Sequence, residues 1–114
     1  MHVAWIDYKK AFDSLPQSWI AKCLEIIEVS SNIRQFLRVT MASWKTVLTV
    51  NGQVLGYVQI RRGIFQGDSL SPLLYVIAMI PKTTILRQTG LEYQTSQSAA
   101  KISHLLYMDD LKLY

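Results

Sequence analysis

Two adjacent acids, Asp109 and Asp110, stand between two short apolar runs in the stretch Tyr107-Met108-Asp109-Asp110-Leu111-Lys112-Leu113-Tyr114. No other stretch restricts the fold as much. Side chains on a strand alternate faces, so adjacent Asp residues inside one would point apart. At the tip of a tight hairpin both lean towards one spot, and Asp tolerates the backbone angles of such a turn. The stretch therefore predicts two antiparallel strands joined at the acid pair. Two like charges held together cost free energy, which a bound divalent cation would offset. Mg2+ takes oxygen ligands and is typically held by a few carboxylates plus substrate phosphates. The same two residues also fit an ordinary Asp-Asp turn, so the rest of the chain has to decide between the readings.

Upstream, Val3 to Ile6 reads as a strand, short and apolar, ended by Asp7. Asp7 to Ser14 is a tight polar segment with one aromatic, Phe12, inside it. Pro16 marks a helix start, because proline's missing N–H is harmless in a first turn. Trp19, Ile20, Cys23, Leu24, Ile26 and Ile27 follow at helical spacing to about Val29. Ser30-Ser31-Asn32 breaks the pattern, and a second helix runs from Ile33 to Trp44. The two tryptophans and the aliphatic residues of both helices read as core. Thr46 to Val50 and Gln53 to Ile60 flank Asn51-Gly52, a strong hairpin signal. Leu73 to Ile80 predicts an apolar helix that Pro81 kinks or ends, with helical character resuming to Arg87 and closing at Gly90. Gln94 to Ala100 reads as a loop, and Ile102 to Tyr107 as the strand that enters the acid pair. Strand, helix, helix, hairpin, helix, hairpin is an α+β order, with helices packed on one side of an antiparallel sheet.

Composition narrows the function classes. Half of the 114 residues are hydrophobic and 18% are charged, which suits one globular domain at most. The net charge of +4 favours a polyanionic partner only modestly, since Lys9-Lys10 and Arg61-Arg62 are the sole adjacent basic pairs. One cysteine, Cys23, excludes an internal disulfide and fits a buried small side chain on an apolar helix face. His2 and His104 lack partners at zinc-ligand spacing. No apolar stretch reaches the ~18 residues of a membrane span.

Three features line up in order. Asp7 ends a strand with Phe12 five residues later; Gly63-Ile64-Phe65-Gln66-Gly67-Asp68-Ser69-Leu70-Ser71-Pro72 is a glycine-bracketed turn into a helix; and Tyr107-Met108-Asp109-Asp110 closes the set. Together they resemble the palm of a reverse transcriptase. The segment Asp7-Tyr8-Lys9-Lys10-Ala11-Phe12-Asp13-Ser14 most resembles the enzymes of non-LTR, LINE-type retrotransposons, with group II intron enzymes a second match. The resemblance covers nearly the whole chain.

The resemblance implies an RNA-directed DNA polymerase, a nucleotidyltransferase working with two Mg2+ ions, with Mn2+ a possible substitute. Its partners would be an RNA template, a DNA primer and dNTPs. Asp7 and Asp109 would be the main metal ligands, with Asp110 in a lesser part and the Tyr8 carbonyl as a further ligand. Phe12 would lie under the incoming sugar and exclude a 2′-hydroxyl. Lys10 and Ala11 would offer backbone N–H groups to the triphosphate, and Gln66 and Gly67 would face nucleotide and template. Arg62 would reach a phosphate, Tyr107 would contact nucleic acid, and Met108 would lie against the primer end. Met108 departs from the smaller residue common in non-LTR enzymes and looks more retroviral.

The chain opens almost at once into an apolar run and stops inside an apparent strand. The expectation is therefore a partial palm domain over residues 1–114, with the fingers, the later palm motifs and the thumb outside it. Residues 1–114 alone would then have little processive activity, because gripping a duplex takes many phosphate contacts. A non-catalytic nucleic-acid-binding remnant of a retroelement, or a maturase-like protein, is the alternative. The analogy implies action in the nucleus and no membrane partner.

Overall fold

A computed structural model describes residues 2–94 and 101–114 of the chain. Strand β1 (Ala4–Asp7) ends at the first acid. The chain turns through Lys10, whose φ of 53° and ψ of 48° are left-handed, into the one-turn helix α1 (Ala11–Ser14). The sequence reading placed no helix here, because four residues are too few for a helical period to register.

Helix α2 (Gln17–Ile26) begins after Pro16, as expected, but stops short of Val29. The stop is a Schellman closure without glycine. Glu28 adopts φ 57°, its N–H donates to Glu25 O at 3.0 Å, and the Val29 N–H donates to Leu24 O at 3.0 Å. Helix α3 (Ser31–Ala42) follows. Strands β2 (Lys45–Val50) and β3 (Gln53–Gln59) pair antiparallel around Asn51 (φ 48°) and Gly52 (φ 79°), both positive as a type I′ turn demands. Helix α4 (Ser71–Gln88) runs on past Pro81, so it does not end there, and Gly90 (φ 69°) follows it. The remaining strands are β4 (Tyr93–Gln94), β5 (Lys101–Ile102), β6 (His104–Tyr107) and β7 (Asp110–Leu113). The expected loop from Gln94 lies, from residue 95 to 100, outside the described residues.

The α+β class holds, with antiparallel sheets. The largest has the order β1-β7-β6, so the last strand inserts between the first and its own hairpin partner. The Asn-Gly hairpin forms a separate two-stranded sheet. The core lies among the helices: Ile20 and Leu24 of α2, Leu37 and Met41 of α3, and Leu74 and Tyr75 of α4 are buried. Cys23 is fully buried, as its position suggested.

Several residues read as core are not. Trp19 is 40% exposed, and its indole N–H donates to Ala78 O at 3.0 Å, so it caps the α2–α4 contact instead of filling it. Ile26, Ile33 and Phe36 are also exposed. A helical period reports which residues share a face, not whether another element covers that face. Here the molecule measures 63 × 36 × 20 Å with a radius of gyration of 18.2 Å, against about 13 Å for a compact domain of this length. Such a shape leaves many apolar faces uncovered, including Val47, Leu55 and Tyr57 on the hairpin. Among the described residues no helix is long and apolar enough to cross a membrane.

Candidate active site

The register of the main sheet joins the two ends of the chain. Asp7 has Asp110 as its Cα partner across β1 and β7, and Asp110 also pairs with Tyr107 of β6. Residues directly opposite in an antiparallel pair share a face, and every second residue returns to it. Asp7, Asp110 and Tyr107 therefore lie on the face that carries Trp5, Lys112 and Leu105. Leu111, at 1% exposure, belongs to the other. The first face is open. Trp5, Leu105, Tyr107, Asp110 and Lys112 line a groove of about 470 Å³ on it, with the Lys112 ammonium 4.6 Å from the centre of the Trp5 ring.

Met108 and Asp109 make the turn between β6 and β7, with Met108 held at φ 52°. A left-handed Met is uncommon and carries strain, since its Cβ crowds the following carbonyl. Tyr107, just before it, is 80% exposed. Asp109 is half-buried and leans towards the helices. The Tyr75 hydroxyl of α4 has its pKa raised, first by burial and then by the charge of Asp109. The turn thus splits the acid pair: Asp110 faces Asp7 on the open side, and Asp109 lies towards Tyr75.

All the acids' donor atoms are hard oxygens, which suits Mg2+. Asp7 and Asp110 start on neighbouring strands, with the Tyr8 carbonyl one peptide further on. The full set expected from the sequence is not gathered, however. Among the described residues no group of three His, Cys, Asp or Glu side chains is close enough to hold a metal.

Of the residues expected around a nucleotide, Lys10, Ala11 and Phe12 follow closely on β1, and Arg62, Gln66 and Gly67 flank Gly63 and Ile64, which bond to the segment from Phe12 to Leu15. Lys10 is the exposed left-handed residue before α1, and Ala11 is buried as the first residue of that helix. Phe12 is half-buried, and its ring stacks on Tyr75 at 4.8 Å between centroids and 14° between planes. Gln66 and Gly67 form an exposed turn, Gly67 at φ 90° with open space where a Cβ would point. Arg62 is exposed and its backbone bridges Pro16.

Three residues matter more than the sequence reading allowed. Gly63 (φ 88°) is pressed against α1: a Cβ built on it would lie 3.0 Å from the Asp13 Cα, 3.0 Å from the Asp13 carbonyl oxygen and 3.2 Å from that of Phe12. Its N–H donates to Leu15 O at 2.8 Å, and the Ile64 N–H donates to Phe12 O at 3.0 Å. These bonds bring the Gln66-Gly67 turn to the Phe12 segment. Tyr75, 1% exposed, stacks on Phe12 and feels the charge of Asp109. Lys82 of α4 lies 4.2 Å from the centre of the Tyr8 ring, and burial lowers its pKa. The glycine at position 63, read from the sequence only as one bracket of the turn, was the signal available. Tyr75 and Lys82 are ordinary helix positions until the helix is docked.

The profile of the family described as reverse transcriptase (RNA-dependent DNA polymerase) matches residues 1–114. A retrovirus-related Pol polyprotein from the type-1 retrotransposable element R2 of Popillia japonica is 31% identical over 114 residues, covering 98% of this chain and 18% of that protein. A Nasonia vitripennis polyprotein of the same description is 32% identical over 113 residues, covering 99% of this chain and 11% of that protein. The uncharacterized 149 kDa protein of transposon TX1 of Xenopus laevis is 27% identical over 110 residues, covering 95% of this chain and 8% of that protein. The chain spans less than a fifth of the length of these relatives.

Proposed function

The chain belongs to the reverse transcriptase family, among non-LTR retrotransposon relatives, and from this we propose that it supplies the palm of an RNA-directed DNA polymerase. The observation that carries the reading is the Asp7–Asp110 register, which joins carboxylates from the two ends of the chain beside the third acid. The reaction is addition of a deoxynucleotide to a primer 3′ end along an RNA template. Divalent cations bound there would steady the attacking and leaving oxygens of an in-line displacement at phosphorus. Asp7 and Asp110 hold the charge on the open face, and Asp109 anchors the turn. Tyr107 and Met108 meet the primer, and Arg62 meets a backbone phosphate. The fingers and thumb of the same polypeptide complete the grip on the duplex, and the work is done in the nucleus.

Phe12 selects the sugar. Its ring is held by the stack on Tyr75, so it cannot swing aside for a 2′-hydroxyl. The test is primer extension on an RNA template by the polypeptide that carries this segment in its full reading frame. Extension should require Mg2+ and dNTPs. Phe12→Ala should lower the ratio of kcat/KM for dNTP over rNTP at least about tenfold. An unchanged ratio removes Phe12 from sugar selection, and no extension at all removes the polymerase reading.

Metal binding has its own readout. A ligand that binds only the folded state at about a hundred times its Kd stabilises by about 2.7 kcal/mol, a rise in Tm of roughly 10 °C for a domain this size. Mg2+ should produce a rise of this order, and Asp7→Asn with Asp110→Asn should abolish it. A Tm indifferent to Mg2+ in the unaltered protein counts against the metal assignment.

A further inference from the structure

At the other end of β6 from the acids, the chain builds a second polar cavity, of about 370 Å³, lined by Arg87, Glu92, Lys101, Ile102, Ser103 and His104. Its walls come from the end of α4, the segment before β4, strand β5 and the start of β6. His104 stands three residues before Tyr107, roughly 10 Å along an extended strand. The cavity is therefore separate from the carboxylate turn and does not depend on the function proposed above.

Its charges are unbalanced. Arg87 and Lys101 line it, and Lys82 acts on His104 from the preceding turns of α4. Glu92 is the one carboxylate in the lining, 3.7 Å from the Lys101 ammonium, with both side chains substantially open to solvent. A pair so exposed contributes little and is easily exchanged. His104 reports the imbalance: its pKa is lowered, first by burial and then by the positive charges of Arg87 and Lys82. It therefore stays neutral at pH 7. The Ser103 hydroxyl and His104 Nδ1 lie 2.8 Å apart; with the hydroxyl as donor, the neutral ring carries its proton on Nε2 and can donate it. A forked guanidinium, an ammonium and an imidazole N–H around one polar cavity match a tetrahedral oxyanion, which accepts several bonds at once.

We propose that the cavity bounded by Arg87, Lys101 and His104 is a phosphate-binding site, distinct from the carboxylate end of the sheet. A phosphodiester of a nucleic-acid strand and a free phosphate share this chemistry. On binding, Lys101 exchanges its loose contact with Glu92 for the phosphate, and Arg87 supplies a second pair of donors.

The test is an NMR titration of the chain at pH 7, following the His104 ring signals, with His2 as internal control. The probes are inorganic phosphate and a deoxythymidine decamer. A shift with the decamer assigns the site to strand phosphates, and a shift with inorganic phosphate alone assigns it to free phosphate. In either case Arg87→Gln with Lys101→Gln should weaken binding at least about tenfold. For the decamer the salt slope should also fall by about 0.7, for the one strand phosphate that the site neutralises. Glu92→Gln removes the competing carboxylate and should tighten binding, a gain that a damaged fold would not give. Asp109→Asn should leave the titration unchanged. His104 signals that ignore both probes, or affinities untouched by the double substitution, overturn the site.

Discussion

Primer extension on an RNA template is expected to fall by about 10³-fold when Asp7 is changed to alanine in the full polypeptide that carries this segment, a loss typical of removing one preorganised electrostatic group from a charged transition state. Asp7 is the only acid that β1 brings to the sheet, and it stands opposite Asp110. Asp110→Ala is expected to cost about as much, because the register and not the turn position decides which acid meets Asp7. Asp7→Ala with Asp110→Ala should be hardly worse than either alone, since groups that work as a unit fail as a unit. The comparison is made in single-turnover rates at saturating dNTP, so that weakened binding is not mistaken for lost chemistry. Turnover that survives the double substitution would refute the assigned roles.

Gly63→Ala should be the most damaging small change to the fold. A residue with a Cβ at φ 88° is strained wherever it occurs. Here the new methyl also meets backbone atoms of Asp13 and Phe12, two contacts at 3.0 Å and one at 3.2 Å, and backbone cannot rotate away as a side chain can. Strain and overpacking together cost about 3 kcal/mol, which lowers Tm by roughly 10–20 °C. Gly67→Ala is the control. Gly67 has nearly the same backbone angle, φ 90°, but nothing within 4 Å of its would-be Cβ, so it should lose only about 1 kcal/mol. The difference between the two variants isolates the contact with α1. Equal melting temperatures would show that the segment is free to move off α1, and with it the Gln66-Gly67 turn.

The pH dependence of stability has a definite sign at His104. Its pKa is lowered in the folded chain by burial and by Arg87 and Lys82, so the unfolded chain takes up the proton more readily. Stability is full above the ordinary histidine value of about 6.5 and is lost as pH falls through the lower folded value. Thermal melts across that interval should show the loss, and His104→Gln should remove it.

Some features were legible because neighbours in the chain fix them. The Asn51-Gly52 hairpin needed only local backbone preferences and strand alternation. A hairpin near the acids was equally legible, but its turn falls at Met108-Asp109, one residue before the expected tip, and leaves Asp110 on β7. The start of α2 after Pro16 needed only proline chemistry. The stop of α2 was hidden because Glu28, not glycine, takes the left-handed position. Trp19, Ile33 and Phe36 were assigned to a core because periodicity cannot count the layers stacked on a helix.

By itself, then, the amino-acid order set which groups carry chemistry and which short turns present them, since a turn depends on angles that four or five consecutive residues dictate. Folding decided who meets whom. It put β7 between β1 and β6, so that Asp110 and not Asp109 stands across from Asp7. It also laid Tyr75 under Phe12 and pressed Gly63 against Asp13. Those meetings join residues from about fifty to about a hundred positions apart, and only the packing of whole elements brings them within reach.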